Sequence, residues 1–141
     1  MKLVENEAIV GFIENKLGTT FSPPFKAFGF VSDDNRPMCA FVFNDHSGSN
    51  IEMSVYAEPG GITRGVLRYV AFYVFNKSGC RRLTVRTRKR NKRVLQLAPR
   101  YGFTYESVQK HYYADDDAVV FRMLKQDCRF LDEIVKSATA A

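Results

Sequence analysis

Residues 51–75 read IEMSVYAEPGGITRGVLRYVAFYVF, and this stretch decides the fold. Apolar and polar residues alternate from Ile51 to Tyr56, which predicts a strand with two different faces. Glu58-Pro59-Gly60-Gly61 then breaks the alternation, and apolar residues at helical spacing from Ile62 to Phe75 predict a helix. A strand that turns tightly on glycines into a helix is a building unit of α/β proteins.

The glycine turn is also a candidate anion site. The first amides of a helix have no partner inside the helix, and the helix dipole adds positive potential at the same end. Gly60 and Gly61 would let the backbone approach a phosphate with no Cβ in the way. We therefore predict that Gly60, Gly61, Ile62 and Thr63 bind a phosphate or pyrophosphate, with Arg64 facing the anion. The alternative is a turn with only a structural role.

The flanking segments complete one domain. We predict a helix at 4–17, strands at 26–31 and 38–43, a strand at 82–87, a helix at 91–101, strands at 103–107 and 118–124, and a helix from Cys128. Helices that cross between strands require a parallel pair inside an otherwise antiparallel sheet. The expected class is α/β, of the mixed α+β type: a mostly antiparallel sheet with one splayed parallel strand pair, flanked by about four helices. Residues 1–141 form a single domain, with an N-terminal helix and loop at 1–25, a core at 26–124 and a C-terminal helix and tail at 125–141.

Composition narrows the functional classes. The 141 residues are 45% apolar and 26% charged, which is typical of a globular domain. No apolar run approaches the roughly 20 residues of a membrane span. Three widely spaced cysteines indicate reduced thiols, and acids at the N-terminus argue against an export signal, so we expect a cytoplasmic protein. The two histidines are far apart, so no metal site is expected.

Positive charge is concentrated in one stretch. Residues 81–93 contain eight Lys and Arg and no acid, whereas the whole chain carries a net charge of +6. Such a field attracts a phosphate, a nucleic acid or an acidic protein surface. Single-stranded nucleic-acid sites interleave aromatic residues for base stacking, and this stretch has none, so nucleic-acid binding ranks below the other two.

Four segments in order carry a family resemblance. GITRGVLRYVAFYVF, CRRLTVRTRKRN, RVLQLAPRYGF and DDDAVVFRML together resemble the GNAT superfamily of N-acetyltransferases, over about residues 28–124. The spacing from Asn91 to Gly102-Phe103 matches the family pattern without a gap. The chain is most similar to the short members found in bacteria and their phages, so the cytoplasm could be that of a host cell.

The resemblance implies acetyl-CoA as cofactor and an amine as acceptor, either a small amine or a protein amino group. It implies that main-chain groups of the third strand hold the pantetheine arm and that the glycine turn holds the pyrophosphate. An arginine between 88 and 93 would meet the 3′-phosphate. The cofactor-binding residues expected on this basis are Met53, Val55, Tyr56, Gly60, Gly61, Ile62, Thr63, Arg64 and Asn91.

The resemblance also assigns catalytic roles. Glu52 is the expected base that removes the amine proton, with a solvated strand residue as the alternative. The family's thiolate acid, a Tyr or a Ser, would align with Ala98 or Val94, so Tyr101 or Tyr112 is the expected substitute. Glu58 occupies the position where the family carries Gln or Arg. These departures keep open a catalytically silent GNAT-fold protein that binds a partner such as a host protein. A homodimer through the last helix is a further expectation.

Overall fold

The computed structural model describes residues 1–132 and contains one mixed sheet. Its strands are β1 (Lys2–Val4), β2 (Lys26–Val31), β3 (Pro37–Ser47), β4 (Asn50–Ala57), β5 (Arg82–Arg88), β6 (Thr104–Tyr113) and β7 (Asp116–Leu124). They lie side by side in the order β1-β2-β3-β4-β5-β7-β6. The helices are α1 (Glu7–Leu17), α2 (Arg64–Ala71), which continues as a π-helix (Phe72–Lys77), α3 (Lys92–Arg100) and a 3₁₀ helix (Lys125–Asp127).

One neighbouring pair of strands differs from all the others. β4 and β5 are parallel, and their ladder runs only from Asn50–Arg82 to Met53–Val85. Beyond this point β4 continues to Ala57 and β5 to Arg88, so the two strands diverge. The remaining neighbours are antiparallel. The predicted mixed sheet with one splayed parallel pair is confirmed.

The two faces of the sheet have separate cores. On one face Ile9 and Ile13 of α1 pack against Ala40 and Val42 of β3. The opposite face carries the larger core, in which α2 and its π-helical extension cover the strands. Phe28 lies at its centre and is fully buried. The rings of Tyr69 and Tyr73 meet the Phe28 ring edge-on, at centroid distances of 5.0 and 5.6 Å, a favoured geometry for aromatic pairs.

Several predicted boundaries were wrong. Val4 was expected in the first helix but belongs to β1, where it pairs with Gly29, and α1 begins only at Glu7. This strand was expected to end at residue 43, yet β3 continues to Ser47 and only Gly48 and Ser49 turn. β6 likewise extends beyond the predicted 103–107. In both cases the added residues are mostly polar, so the apolar alternation that predicts a strand is lost.

The predicted last helix is only partly within the described residues. Residues 128–132 form a turn and a bend instead of a helix, and Cys128 is fully buried. Ile134 and Val135, which the prediction placed on this helix, lie outside the described residues. Across residues 1–132, no helix is both long enough and apolar enough to cross a membrane.

Candidate active site

The divergence of β4 and β5 opens a cavity on the α2 and α3 side of the sheet. This apolar cleft has a volume of about 300 Å³. Its walls come from β4, β5, α2 and α3, and include Met53, Val55, Ala57, Leu67, Val85, Val94, Leu97 and Ala98. Because the β4–β5 ladder has ended, the backbone of both strands borders the cleft without a strand partner on that side.

A second cavity lies on the opposite face of the sheet, beside the C-terminal end of α1. This polar cavity has a volume of about 720 Å³ and is lined by charged and aromatic side chains, among them Asp45, Glu52, Arg86, Arg88, Tyr112 and Tyr113. Six residues line both cavities: Lys16, Leu17, Val55, Val85, Asn91 and Val94. The two cavities therefore meet at the gap between the strands, and we call these six residues the junction.

The glycine turn connects β4 to the start of α2. Thr63 is the N-cap of α2, and its hydroxyl accepts a hydrogen bond from the Val66 amide at 3.2 Å. The Gly61 amide donates to the Glu58 carbonyl at 2.8 Å. Within residues 1–132, the amides of 62–65 have no hydrogen-bond partner. Of the four residues predicted to bind a phosphate, Ile62 and Thr63 have open amides, whereas the Gly61 amide is engaged by Glu58.

The structure gives Gly61 a second reason to be glycine. A Cβ on Gly61 would lie 2.9 Å from the carbonyl carbon of Met38 and closer still to its oxygen. The turn is therefore pressed against β3 on this side. Gly60, in contrast, has a φ of 75° and open space around it, so its backbone is accessible to a ligand.

A cation lies opposite the turn. A third cavity of about 320 Å³ separates Glu58 and Gly60 from Arg93 and Gln96 of α3. The Glu58 carboxylate accepts a hydrogen bond from the Tyr56 hydroxyl at 2.8 Å. Arg93 was foreseen only as one of several arginines in the range 88–93. Its position in the first turn of α3 could not be related to the glycine turn before the fold was known.

Glu52 lies in the polar cavity as part of an ion pair with Arg86. Their side chains are only 15% and 17% exposed, so Glu52 is not a solvated strand residue. Burial raises the pKa of Glu52, the Arg86 guanidinium opposes this, and Asp45 raises the pKa further, so the balance is upward. Arg86 also stacks on the ring of Tyr112, with its guanidinium carbon 4.5 Å from the centroid.

The other predicted catalytic residues are separated by the sheet. Tyr112 lies in the polar cavity beside Arg86, together with Glu52. Tyr101 instead lines the apolar cleft and the cavity next to the glycine turn. Asn91, predicted to bind the cofactor, is the N-cap of α3, and its side chain accepts a hydrogen bond from the Val94 amide at 3.4 Å. Arg64 is exposed in the first turn of α2.

Much of the basic stretch is neutralised by acids from other elements. Arg82 pairs with Glu106 of β6, and Arg86 pairs with Glu52. Arg88 and Arg90 both pair with Asp115, which lies in the turn between β6 and β7. Four of the eight cations of residues 81–93 are therefore held in ion pairs.

The sheet order, the splayed parallel pair and the helix after the glycine turn define the fold of GNAT acetyltransferases. A mutant of the spermidine N-acetyltransferase SpeG from Vibrio cholerae matches with a TM-score of 0.72 and 11% identity, over 95% of this chain and 99% of that one. The ribosomal-protein-S5-alanine acetyltransferase from Vibrio fischeri matches with a TM-score of 0.62 and 12% identity, over 89% and 70%. No family model and no curated protein matches the sequence. At these identities the likeness shows the fold alone.

Proposed function

We propose that the protein is an acetyl-CoA-dependent N-acetyltransferase that acts on an amine in the cytoplasm, with residues 1–141 as its single domain. One observation carries this proposal. A continuous path leads from the open amides at the start of α2, along the apolar cleft, to a polar cavity lined by the partly buried Glu52 carboxylate. A coenzyme A thioester has the same sequence of parts: a pyrophosphate, a narrow arm and a reactive acyl end.

The residues along this path suit the cofactor. The amides of 62–65 and the Arg93 guanidinium would hold the pyrophosphate, because both favour phosphate oxygens. Beyond Met53, β4 has no partner on its β5 side, so its main chain could hydrogen-bond the amides of the pantetheine arm. Acetyl-CoA, when bound, supplies an activated acyl group.

Glu52 is the base in this proposal. An amine with a pKa near ~10 is mostly protonated at neutral pH and must lose a proton before it attacks. The raised pKa of Glu52 makes it a stronger base than an exposed glutamate. Arg86 holds the carboxylate in place through the ion pair, while stacking on Tyr112 and a hydrogen bond donated to the Gln109 side chain fix the guanidinium.

The acceptor class follows from the polar cavity and from the structural neighbours. Asp45 lines the cavity and forms no ion pair within residues 1–132, so its carboxylate is available to attract a cationic amine. The two structural neighbours are named for spermidine and for an alanine of ribosomal protein S5, both of which present amines. We therefore propose a small amine or a protein amino group as acceptor.

A catalytically silent scaffold is the second candidate. Ala98 and Val94 line the apolar cleft where the family carries a hydroxyl, and neither can donate a proton. A protein that kept the cleft but lost turnover could use the fold to bind a partner protein.

Calorimetry with acetyl-CoA and thiol release with a panel of amines test the proposal. We expect the wild-type protein to bind and to release thiol with at least one amine. A concentration of 100 times the dissociation constant should raise the free energy of unfolding by about 2.7 kcal/mol. Arg93→Gln should weaken binding, whereas Lys92→Gln, its neighbour outside the cavities, should not. Absence of binding would refute the proposal, and binding with no turnover across the panel would favour the scaffold.

A further inference from the structure

In the proposed function, on which this inference rests, the departing thiolate has no hydroxyl donor at the position where the fold usually provides one. In that function the acyl group must pass from the apolar cleft to an amine in the polar cavity. The reacting carbon and sulfur atoms therefore lie where the two cavities meet, at the junction. The side chains of the junction decide how the negative charge on sulfur is stabilised.

The junction contains few polar side chains. Leu17, Val55, Val85 and Val94 are apolar, which leaves Lys16 and Asn91. The Asn91 carboxamide carries no charge, and its oxygen is engaged as the N-cap of α3. Lys16 is therefore the one charged side chain that reaches both cavities among the residues the structure describes.

The tyrosines do not reach the junction. Tyr112 and Tyr113 line only the polar cavity, with their rings against Arg86 and Arg88. Tyr101 lines the cleft but not the polar cavity. Tyr56 also lines the cleft, and its hydroxyl donates to Glu58.

Lys16 is held over the gap by two aromatic rings. It lies in the last turn of α1. Its ammonium nitrogen is 5.5 Å from the centroid of Tyr56 on β4 and 5.7 Å from that of Phe12. Both distances are within the range of a cation–π interaction. These contacts orient the ammonium beside β4, where that strand has lost its β5 partner.

We propose that the Lys16 ammonium stabilises the departing coenzyme A sulfur as an ammonium–thiolate pair, in place of an acid that protonates it. The bond from the amine nitrogen to the acyl carbon forms, and the carbon–sulfur bond breaks with its electron pair on sulfur. An amine that binds as an ammonium first gives one proton through Glu52 to solvent, and the second proton, lost from nitrogen as the amide forms, goes to the Glu52 carboxylate. The thiolate leaves beside Lys16 and is protonated by water after release, while Glu52 returns its proton to solvent.

Other charges around the junction are mostly balanced. On β3 and β4 the acids are Asp45 and Glu52, and Glu52 is paired with Arg86 of β5. Arg88 and Arg90 share Asp115. Arg93 of α3 lines the cleft on the side of the glycine turn. Its removal should therefore weaken binding of the coenzyme A phosphates. Lys16 is therefore the cation whose removal should change the pKa of the coenzyme A thiol.

The test is the thiol pKa of bound coenzyme A, read by NMR from coenzyme A carrying carbon-13 next to sulfur. An opposite charge within about 4–6 Å lowers the pKa of an acid by about one unit or more. We expect the thiol pKa of bound coenzyme A to lie below that of free coenzyme A by this amount in the wild type. Lys16→Arg keeps the charge and should give the same lowered thiol pKa. In Lys16→Met the thiol pKa of bound coenzyme A should return to that of free coenzyme A, and acetyl transfer should be about tenfold slower. The affinity of Lys16→Met for coenzyme A, measured at a pH below the thiol pKa, should be unchanged.

Two controls separate this role from others. Lys92→Met removes a nearby lysine that lines neither cavity and should keep the wild-type thiol pKa. Arg93→Gln should weaken affinity and keep the thiol pKa. A wild-type thiol pKa equal to that of free coenzyme A, or a Lys16→Met value equal to wild type, would overturn the Lys16 assignment alone. Failure of the wild type to bind coenzyme A would overturn the proposed function, and this assignment with it.

Discussion

Gly61 shows how a single missing Cβ determines the shape of the turn. An alanine at this position would meet the Met38 backbone and the Glu58 carbonyl, neither of which can rotate away. We expect Gly61→Ala to lower the free energy of unfolding by about 1–3 kcal/mol, the usual cost of overpacking. Urea denaturation measures this. Gly11→Ala is the matched control, because Gly11 lies inside α1 with open space around it, so alanine should stabilise by about 0.5–1 kcal/mol. Equal effects at the two sites would contradict this account.

Glu52 is the residue on which turnover depends in the proposed function. Glu52→Gln keeps the shape of the side chain but cannot accept the amine proton. We expect acetyl transfer to fall by about 10²–10⁴-fold, the usual contribution of general-base catalysis, with coenzyme affinity unchanged. Glu106→Gln is the control, since Glu106 also pairs with arginines but lies outside both cavities. Undiminished transfer by Glu52→Gln would exclude Glu52 as the base.

The pH dependence of transfer follows from the environment of Glu52. A base acts only when it is deprotonated, so the rate should rise as pH increases through the pKa of Glu52, which burial raises above its usual value of 4.5. The Arg86 guanidinium holds this pKa down. Arg86→Gln should therefore move the acidic limb of the kcat/KM profile to higher pH, whatever its effect on the maximum rate. A limb that stays in place or moves to lower pH would show that another group titrates.

At the scale of elements, the N-cap of α2 connects stability to the open amides. Thr63 satisfies the Val66 amide and leaves the earlier amides free. We expect Thr63→Ala to cost about 1 kcal/mol in the free energy of unfolding, because the cap hydrogen bond is lost. Thr63→Ser should retain nearly all of the stability. Thermal denaturation of the two variants checks this, and equal losses would mean that the hydroxyl does not act as a cap.

The sequence predicted these elements to different degrees. The turn from β4 to α2 was predictable because strong alternation, two glycines and a helical pattern follow one another within 25 residues. β1 was missed because it has three residues and depends on pairing with β2, a contact that local patterns do not contain. The same limit applies to the site. Glu52 was a candidate because the resemblance assigns a base to its strand, whereas Arg86, Arg93 and Lys16 acquire their positions from strands and helices that meet only in the folded chain.

At the scale of the whole molecule, the splay divides the sheet. β4 and β5 share a ladder of four residue pairs, and beyond it alternate amides of 54–57 and 86–88 point into the gap. We expect these amides to exchange with deuterium faster than those within the ladder, since they lack a partner there. Coenzyme A should slow the exchange of 54–57 selectively, as measured by hydrogen–deuterium exchange. Exchange that coenzyme A slows evenly over the sheet would contradict direct pairing with β4.

The segment of β4 beyond the β5 ladder has a consequence for how the protein evolves. Its residues 54–57 pair with β3 on one side, and in the proposed function their remaining donors and acceptors, on the β5 side, bind a molecule that arrives and departs in each cycle. A substitution that extended the β4–β5 ladder toward Ala57 would make the protein more resistant to heat and close the path between the two cavities. Selection for stability and selection for acetyl transfer would then act on the same four peptide units in opposite directions.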